Sequence, residues 1–218
     1  CGATPTSFLS LLLARAIARL HPESAPLAPT VTVAVDLRKT LGTTAAHHSQ
    51  VGGLFLPLGQ DMQQADFETQ IAAFRKMIAE QTYPDNLQDY FWQTQDRMER
   101  VEQLPTLQAR YQAFAPTNQL SQQYGSCMFS YVGKAGLGAA EQYIREMRTE
   151  TDSAYMIVVE VSAAAGVFSI SFMQRFATDV YLDTFLDELH QQGLTYEITD
   201  RHPLQIAPIA DYRNAKPK

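Results

Sequence analysis

The sequence predicts a mixed α/β domain in which helices pack on a β-sheet. Segments with apolar residues at helical spacing are interspersed with short apolar or alternating runs that are typical of strands. Apolar residues make up 45% of the 218 residues, as in an ordinary globular domain. A chain of this length buries roughly 70% of its unfolded surface, so no cross-links are needed. We expect one domain over residues 1–203 and a polar tail over 204–218.

The chain is predicted to open with a helix that is capped by Thr6 or Ser7 and ended by Pro22. The apolar residues at helical spacing in it are Phe8, Leu12, Leu13, Ile17 and Leu20. Two strands are expected to follow, at Thr30 to Val35 and at Gly53 to Leu58.

Three further helices are predicted in the middle of the chain. The first covers 66–81 with Asp66 at its start, and the second covers 86–101 with Asp85 or Asn86 as its cap. The third is expected to have Pro105 at its first position and an apolar face of Leu107, Tyr111 and Phe114.

The last third of the chain is predicted to form strands with a few helices. The expected strands are Met128 to Val132, Tyr155 to Val161, Val167 to Arg175 and Leu194 to Ile198, with a hairpin turn at Ala163 to Gly166. A short helix is expected around Tyr143 to Met147.

A longer helix is predicted to begin at Thr178 or Asp179 and to end at Gly193. Its apolar face would consist of Leu182, Phe185, Leu186 and Leu189. The acidic residues Asp183, Asp187 and Glu188 are interpreted as its solvated face.

Charge and motifs exclude several classes of function. The net charge is −6 and no basic stripe is present, so we expect no nucleic-acid partner. Phosphate-binding glycine loops, C-x-x-C, H-E-x-x-H and G-x-S-x-G motifs are lacking, so no metal and no bound cofactor are predicted. Arg15 and Arg19 interrupt the apolar run of the first helix, which favours a core helix over a membrane segment.

The two cysteines indicate a reducing compartment. Cys127 lies in an apolar run and is predicted to be a buried, inert thiol. A disulfide with Cys1 is poorly motivated, so we expect a cytoplasmic protein. The first helix begins almost at residue 1, which suggests a chain cut from a longer polypeptide.

The pair His47-His48 is the local feature closest to a catalytic or metal-binding motif. Neighbouring imidazoles bind metals or act as general bases near pH 7. Neither histidine has a partner four residues away, and no nearby Cys or carboxylate completes a metal set. A solvated loop pair is the competing interpretation.

Four stretches together resemble a known family. They are Val35–Arg38, His47–Gly53, Phe129–Lys134 and Ser171–Phe176. Their order is similar to that in the C-terminal lobe of CoA-dependent acyltransferases of the chloramphenicol acetyltransferase and condensation-domain type, in particular the alcohol-acetyltransferase-like branch. The resemblance extends from about Thr4 to Ile198 and implies one lobe of a two-lobed fold.

The resemblance implies acyl transfer from acyl-CoA or a carrier-bound thioester to an alcohol or amine. In the family, an H-H-x-x-x-D-G motif in the N-terminal lobe supplies a histidine base, and the substrates approach through a tunnel between the lobes. Here His47-His48 is followed by Gly52 where that motif has Asp. The position matches a family turn at Gln50 to Gly53, so we predict that the base belongs before residue 1. His48 is kept only as a candidate.

The residues that the resemblance places along the tunnel or lobe interface are Arg38, Gln50, Gly52, Ser130, Tyr131 and Gly133. The implied partner is an N-terminal lobe of the same polypeptide, and this half would not be catalytic alone. Two alternatives stay open: a degenerate, non-catalytic binding module of the same fold, and a homodimer that completes a site at its interface with His47 or His48.

Overall fold

The architecture was obtained from a computed structural model. It describes residues 2–22, 27–47, 50–113, 125–134, 136, 138–151 and 155–202. Cys1, His48, Phe114 and the predicted polar tail lie outside the described residues.

Strands and helices are interspersed along the chain, as the periodicity predicts. The helices are α1 (Pro5–Leu20), α2 (Gln60–Gln63), α3 (Phe67–Gln81), α4 (Pro84–Glu102), α5 (107–113) and α6 (Val180–Gln191). The strands are β1 (Thr30–Asp36), β2 (Val51–Pro57), β3 (Cys127–Lys134), β4 (Ile157–Ala164) and β5 (Val167–Gln174). A 3₁₀ helix covers Gly138–Tyr143.

The strands form one mixed sheet, which confirms the predicted fold class. The five strands are arranged in the order β2-β1-β3-β4-β5. β3 runs parallel to both β1 and β4, whereas β2 and β5 are antiparallel edge strands. The carboxyl ends of β1, β3 and β4 therefore lie along the same edge of the sheet, meaning the border at the strand ends and not an outer strand.

Helices cover one face of this sheet. α1 contacts α3, α6, β1 and β3, and α3 also contacts β2. The core between them contains apolar side chains that are no more than 1% exposed, among them Leu11, Leu12, Leu13, Val31, Leu56, Phe74, Phe129 and Phe185. Within the described part of the chain, every helix is too short or too polar to span the hydrocarbon core of a bilayer.

The other face of the sheet is crossed by the segment before β4. The hydroxyl of Tyr155 donates to Thr32 Oγ1 at 3.1 Å, and the hydroxyl of Ser162 donates to the carbonyl of Met147. These contacts cover Thr32 and Ser162, which are 7% and 1% exposed.

The helix starts were predicted with mixed success. Asp66 caps α3 through a 2.8 Å bond from the backbone N–H of Thr69, as expected. For α1 the prediction was wrong, because Thr4 is the cap and forms a reciprocal capping box with Ser7. Proline at the first helical position fixes this start two or three residues earlier than expected.

The starts of α4 and α5 also differ from expectation. α4 begins at Pro84, so Asp85 and Asn86 lie inside it and neither is its cap. α5 begins after Thr106, whose Oγ1 accepts the N–H of Ala109 at 3.1 Å, and Pro105 precedes the helix. The predicted apolar face of α5 is wrong where it is described, since Leu107 and Tyr111 are 84% and 73% exposed.

The β4–β5 hairpin is confirmed. Its turn residues Ala165 and Gly166 have φ of 49° and 80°, the conformation that matches the twist of two antiparallel strands.

Gly193, with φ of 76°, follows α6 as predicted. The two predicted segments Tyr143 to Met147 and Leu194 to Ile198 are neither helix nor strand, apart from Tyr143 at the end of the 3₁₀ helix. The second of them pairs with none of the five described strands, and its apolar residues are exposed.

Glu188 is the largest departure on α6. It was interpreted as part of a solvated acidic face, but it is 1% exposed and bonded to two arginines of α1. Its neighbours Asp183 and Asp187 are exposed, as predicted. A helix whose buried face contains a charge needs a matching cation on the element that it packs against, and α1 supplies it.

Candidate functional site

The residues predicted to line a tunnel lie at the edge of the sheet where β1 and β3 end. Arg38, Gln50 and Gly52 belong to the loop after β1 and to the start of β2. Ser130 lies at the middle of β3, and Tyr131 and Gly133 lie on its second half. Because β1 and β3 are parallel, the two groups share this edge, and they are positioned by different strands.

The sheet is not continuous at this edge. β1 and β3 pair over three residue positions, the last of which places Val33 opposite Phe129. Both strands continue beyond it, and there β1 pairs with β2 and β3 pairs with β4. We call this gap between Ala34–Asp36 and Ser130–Lys134 the seam.

Arg38 is held by the carboxylate of Asp36. Its Nε and Nη2 donate at 2.7 to 3.0 Å, and its backbone N–H donates at 3.0 Å. The hydrogen bonds from Arg38 hold the pKa of Asp36 below its ordinary value, and those to Asp36 raise the pKa of Arg38. This exposed pair stabilises the local turn at the end of β1 and leaves the guanidinium at the surface.

The loop between β1 and β2 is closed by Gln50. Its carbonyl accepts the N–H of Leu37 at 2.8 Å, and its side-chain oxygen accepts the hydroxyl of Thr43. The predicted turn at Gln50 to Gly53 is wrong, because residues 51–53 are extended and paired with Asp36, Val35 and Ala34. His47, in the same loop, is exposed.

Gly52 occupies a tightly packed position. It lies on the helix-covered face of β2, where a Cβ atom would approach Leu37 Cδ1, Leu37 Cδ2 and Tyr90 Cε1 at 3.2 Å each. Glycine at this position lets the loop after β1 and helix α4 close over the start of β2.

Gly52→Ala is expected to lower the free energy of unfolding by about 1–3 kcal/mol, since a methyl group there overpacks a filled space. Gly53→Ala is the matched control, because its Cβ would meet only Thr32 Cγ2 at 3.5 Å, an ordinary contact. The measurement is chemical denaturation of the chain and both variants. Equal losses in the two variants would contradict the packing role of Gly52.

The β3 group has a different environment. Tyr131 packs against the core, and its ring lies 6.2 Å from that of Phe168 on β5. Gly133 has φ of 81° at a β-bulge, a backbone conformation that favours glycine. Ser130 is half-buried on the opposite face and is in register with Glu160.

Apolar side chains are exposed at the same edge. Val167 and Phe168 at the start of β5 are 51% and 52% exposed, Ile170 is 37% exposed, and Val132 on β3 is 52% exposed. We call these four residues the apolar patch. The strand alternation places Phe168 and Ile170 on the helix-covered face of the sheet and Val167 on the opposite face.

Glu160 is a residue that the sequence patterns did not single out. It is 7% exposed in the middle of β4, between the apolar residues Val159 and Val161. A charged residue inside an otherwise apolar strand was the available signal, since such residues are almost never buried without a partner.

Other features lie away from this edge. Cys127, at the start of β3, is fully buried as predicted, and burial raises its thiol pKa well above the ordinary value. A groove of about 330 Å³ lies near the amino end of β4, lined in part by Tyr155, Val158 and Met173. Among the described residues, no three His, Cys, Asp or Glu side chains form a group that could hold a metal ion.

The comparisons with known proteins find similarity to solved structures alone. No family model matches the sequence. No curated protein matches it either. Among solved structures, the chain is similar to the epimerization domain from the third module of tyrocidine synthetase B, with a TM-score of 0.42 and 12% sequence identity. The match covers 87% of this chain and 40% of that one, so the chain spans well under half the length of that structure.

Proposed function

We propose that this chain is the C-terminal lobe of a two-lobed acyltransferase. The reaction moves an acyl group from CoA or a carrier-bound thioester to an alcohol or amine, and this lobe forms one wall of the substrate tunnel. The observation that supports the proposal most is the seam, because the residues that the family resemblance assigns to the tunnel lie along it or at the same edge of the sheet.

The seam offers backbone hydrogen-bonding groups that suit a thioester donor. Beyond Val33 and Phe129, the facing backbone groups of β1 and β3 are not paired with each other. Buried backbone N–H and C=O groups need partners. The pantetheine arm of CoA or of a carrier protein is an extended chain with two amide groups, so it is complementary to two facing strand edges.

The apolar patch supports a second lobe at the same edge. Phe168 and Val167 are about half exposed on the edge strand β5, beside the carboxyl end of β4. A second lobe at this edge would exclude water from the patch and from the seam together. Water exclusion also protects a thioester from hydrolysis.

The proposed step divides the work between the lobes. A histidine of the other lobe accepts the proton of the acceptor's O–H or N–H group while that oxygen or nitrogen bonds to the thioester carbonyl carbon. Collapse of the intermediate breaks the C–S bond, and the departing thiolate takes the proton from the imidazolium. This lobe binds the donor and orients its carbonyl.

The test uses the protein that includes an upstream H-H-x-x-x-D-G lobe. Release of free CoA from acetyl-CoA in the presence of acceptor alcohols and amines is measured. We expect turnover that Ser130→Phe reduces by at least about tenfold, because a ring beside the seam obstructs the donor. Ser169→Phe on the edge strand β5 is the matched control and should retain turnover.

Three outcomes would overturn the proposal. If the upstream reading frame lacks this motif, the catalytic lobe that the proposal requires is missing. Equal turnover in the two phenylalanine variants, with both folded, would mean that the thioester donor does not bind along the seam. Turnover by the 218-residue chain alone that is lost on His48→Ala would place the base in this lobe.

A further inference from the structure

The described sheet has two outer strands, and the free side of β2 is largely closed. The N–H of Leu58 donates to the carbonyl of Pro29 at 2.8 Å, and this bond fixes which backbone groups of β2 face β1. Those of Phe55 face away, and the side-chain amide of Gln81 bonds both of them at 2.9 Å. Pro57, the next outward residue, has no N–H. β2 therefore offers little to another strand.

The free side of β5 is open. β4 and β5 are joined by a two-residue turn, and the N–H of Arg175 donates to the carbonyl of Met156 at 3.0 Å, so the odd-numbered residues of β5 bond to β4. The N–H and C=O groups of Phe168, Ile170 and Phe172 therefore point away from the sheet. No described strand lies beyond them. A row of such groups is a template for pairing with another strand.

The two faces of β5 differ in character. The ring of Phe172 packs against α6, so the even-numbered apolar side chains lie on the helix-covered face. Of these, Phe168 and Ile170 are 52% and 37% exposed. The side chains of Ser169 and Ser171 lie on the opposite face. A strand that fits beside β5 would carry apolar residues on one face and polar residues on the other.

The segment after α6 has this pattern and no partner in the described sheet. Its apolar residues Leu194, Tyr196 and Ile198 are 42%, 49% and 52% exposed, and they alternate with Thr195 and Glu197. We call Leu194–Ile198 the unpaired segment.

Both ends of the unpaired segment are held on α6 of its own chain. The N–H of Leu194 donates to the carbonyl of Leu189 at 3.2 Å, near the end of α6. Arg201 Nη1 donates to Asp179 Oδ2 at 2.9 Å, and its Nη2 donates to Asp183 Oδ1 at 3.5 Å, at the start of α6. The segment therefore runs back along α6, with its side chains exposed to solvent.

The unpaired segment matches the open side of β5 on both faces. Placed beside Phe168–Phe172, it brings three apolar side chains next to three apolar side chains, and its two polar side chains next to two serines. Such cross-strand pairs are what stabilises a sheet. We propose that Leu194–Ile198 of a second copy of this chain pairs with Phe168–Phe172, and that the two copies form a symmetric dimer in which each supplies one strand and receives one.

This inference does not rest on the acyltransferase proposal. The second lobe of that proposal would lie at the strand ends beside the seam, whereas the second copy lies along the side of β5. Loss of either result leaves the other unaffected.

The first test is sedimentation velocity of the 218-residue chain over a range of concentrations, together with amide hydrogen exchange at both ends of that range. We expect a monomer–dimer equilibrium. The amide protons of Phe168, Ile170 and Phe172 should exchange at least about tenfold more slowly at the high concentration. Those of Val167 and Ser169 already bond to β4 and should keep their rates. A chain that stays monomeric up to about 1 mM overturns the proposal.

The second test is Tyr196→Lys, which places a charge in the middle of the unpaired segment and should weaken dimerisation by at least about tenfold. Leu107→Lys is the matched control, because it makes the same change in charge at an apolar residue of α5 that is 84% exposed. It should dimerise as the wild type does. Circular dichroism checks that both variants are folded.

Two further results would contradict the proposal. Dimerisation that survives Tyr196→Lys would indicate that the β5 strands of two copies pair directly with each other. Equal weakening in both lysine variants, or concentration-dependent protection that does not alternate along β5, would place the contact between copies elsewhere.

Discussion

Arg15→Met is expected to lower the free energy of unfolding by about 3–5 kcal/mol, because it breaks a buried ion pair. Arg15 Nε donates to Glu188 Oε2 at 2.7 Å, and Arg15 Nη1 donates to Gln70 Oε1 at 2.7 Å. Glu188 and Gln70 are each 1% exposed. Methionine keeps much of the side-chain volume but leaves two buried acceptors without their donor.

The loss is large because the remaining partner is a poor substitute. Arg19 Nη1 still donates to Glu188 Oε1 at 3.0 Å, but the Arg19 side chain is 43% exposed and is shared with Asp187. Solvent screens the charge of Arg19 and so reduces the contribution of its ion pair to stability. Arg15 also lies 5.7 Å from the ring of Phe67, so the substitution removes a cation–π contact that connects α1 to α3.

The measurement is urea denaturation of the wild type, Arg15→Met, Glu188→Met and the double variant. The double variant should be less destabilised than the sum of the single losses, because removing both charges leaves neither buried alone. Lys76→Ala breaks an exposed pair with Glu80 at 3.8 Å and should cost at most about 0.5 kcal/mol. A loss of that small size in Arg15→Met would contradict a structural role for the buried ion pair.

Local patterns predicted most of the elements because the relevant signals lie within a few residues. The valines of β1, the Asp66 cap and the Ala165-Gly166 turn each act over a few neighbouring positions. Thr4 was missed because two neighbouring candidates, Thr6 and Ser7, match the same local pattern. Only Pro5, at the first helical position, distinguishes Thr4 from those two candidates.

Contacts between distant segments were not predictable in the same way. Glu188 has the periodic position of a solvated acid on α6, and its burial depends on Arg15, 173 residues away. Leu194 to Ile198 has the alternation of a strand, yet it pairs with neither edge strand of the described sheet. A local periodic pattern indicates which residues share one face of a helix or strand. The topology of the chain determines which element packs against that face.

The candidate site shows the same difference between features set by local sequence and features set by contacts between distant segments. The sequence placed Arg38, Gln50 and Gly52 near one another because they follow β1 within a short loop. That the second half of β3 ends at the same edge follows from parallel pairing, which no local pattern encodes. The seam and the burial of Glu160 depend on that pairing, so they emerge only with the sheet.

Phe129→Ala is expected to lower the free energy of unfolding by about 3–5 kcal/mol, because it removes a large side chain from a filled core. Phe129 is 0% exposed on the central strand β3, in register with Val33 and Val159. Those neighbours belong to paired strands, so they cannot move inward to fill the cavity. Thermal and urea unfolding of the variant measure the loss.

Phe168→Ala provides the comparison, since it removes the same atoms from a ring that is 52% exposed on edge strand β5. It should cost well under half as much, because part of that ring already contacts water and its neighbours are free to relax. If the two variants lost equal stability, Phe168 would be as buried in solution as Phe129. The apolar patch would then be covered by another body, a result that sedimentation of the same sample would register as self-association.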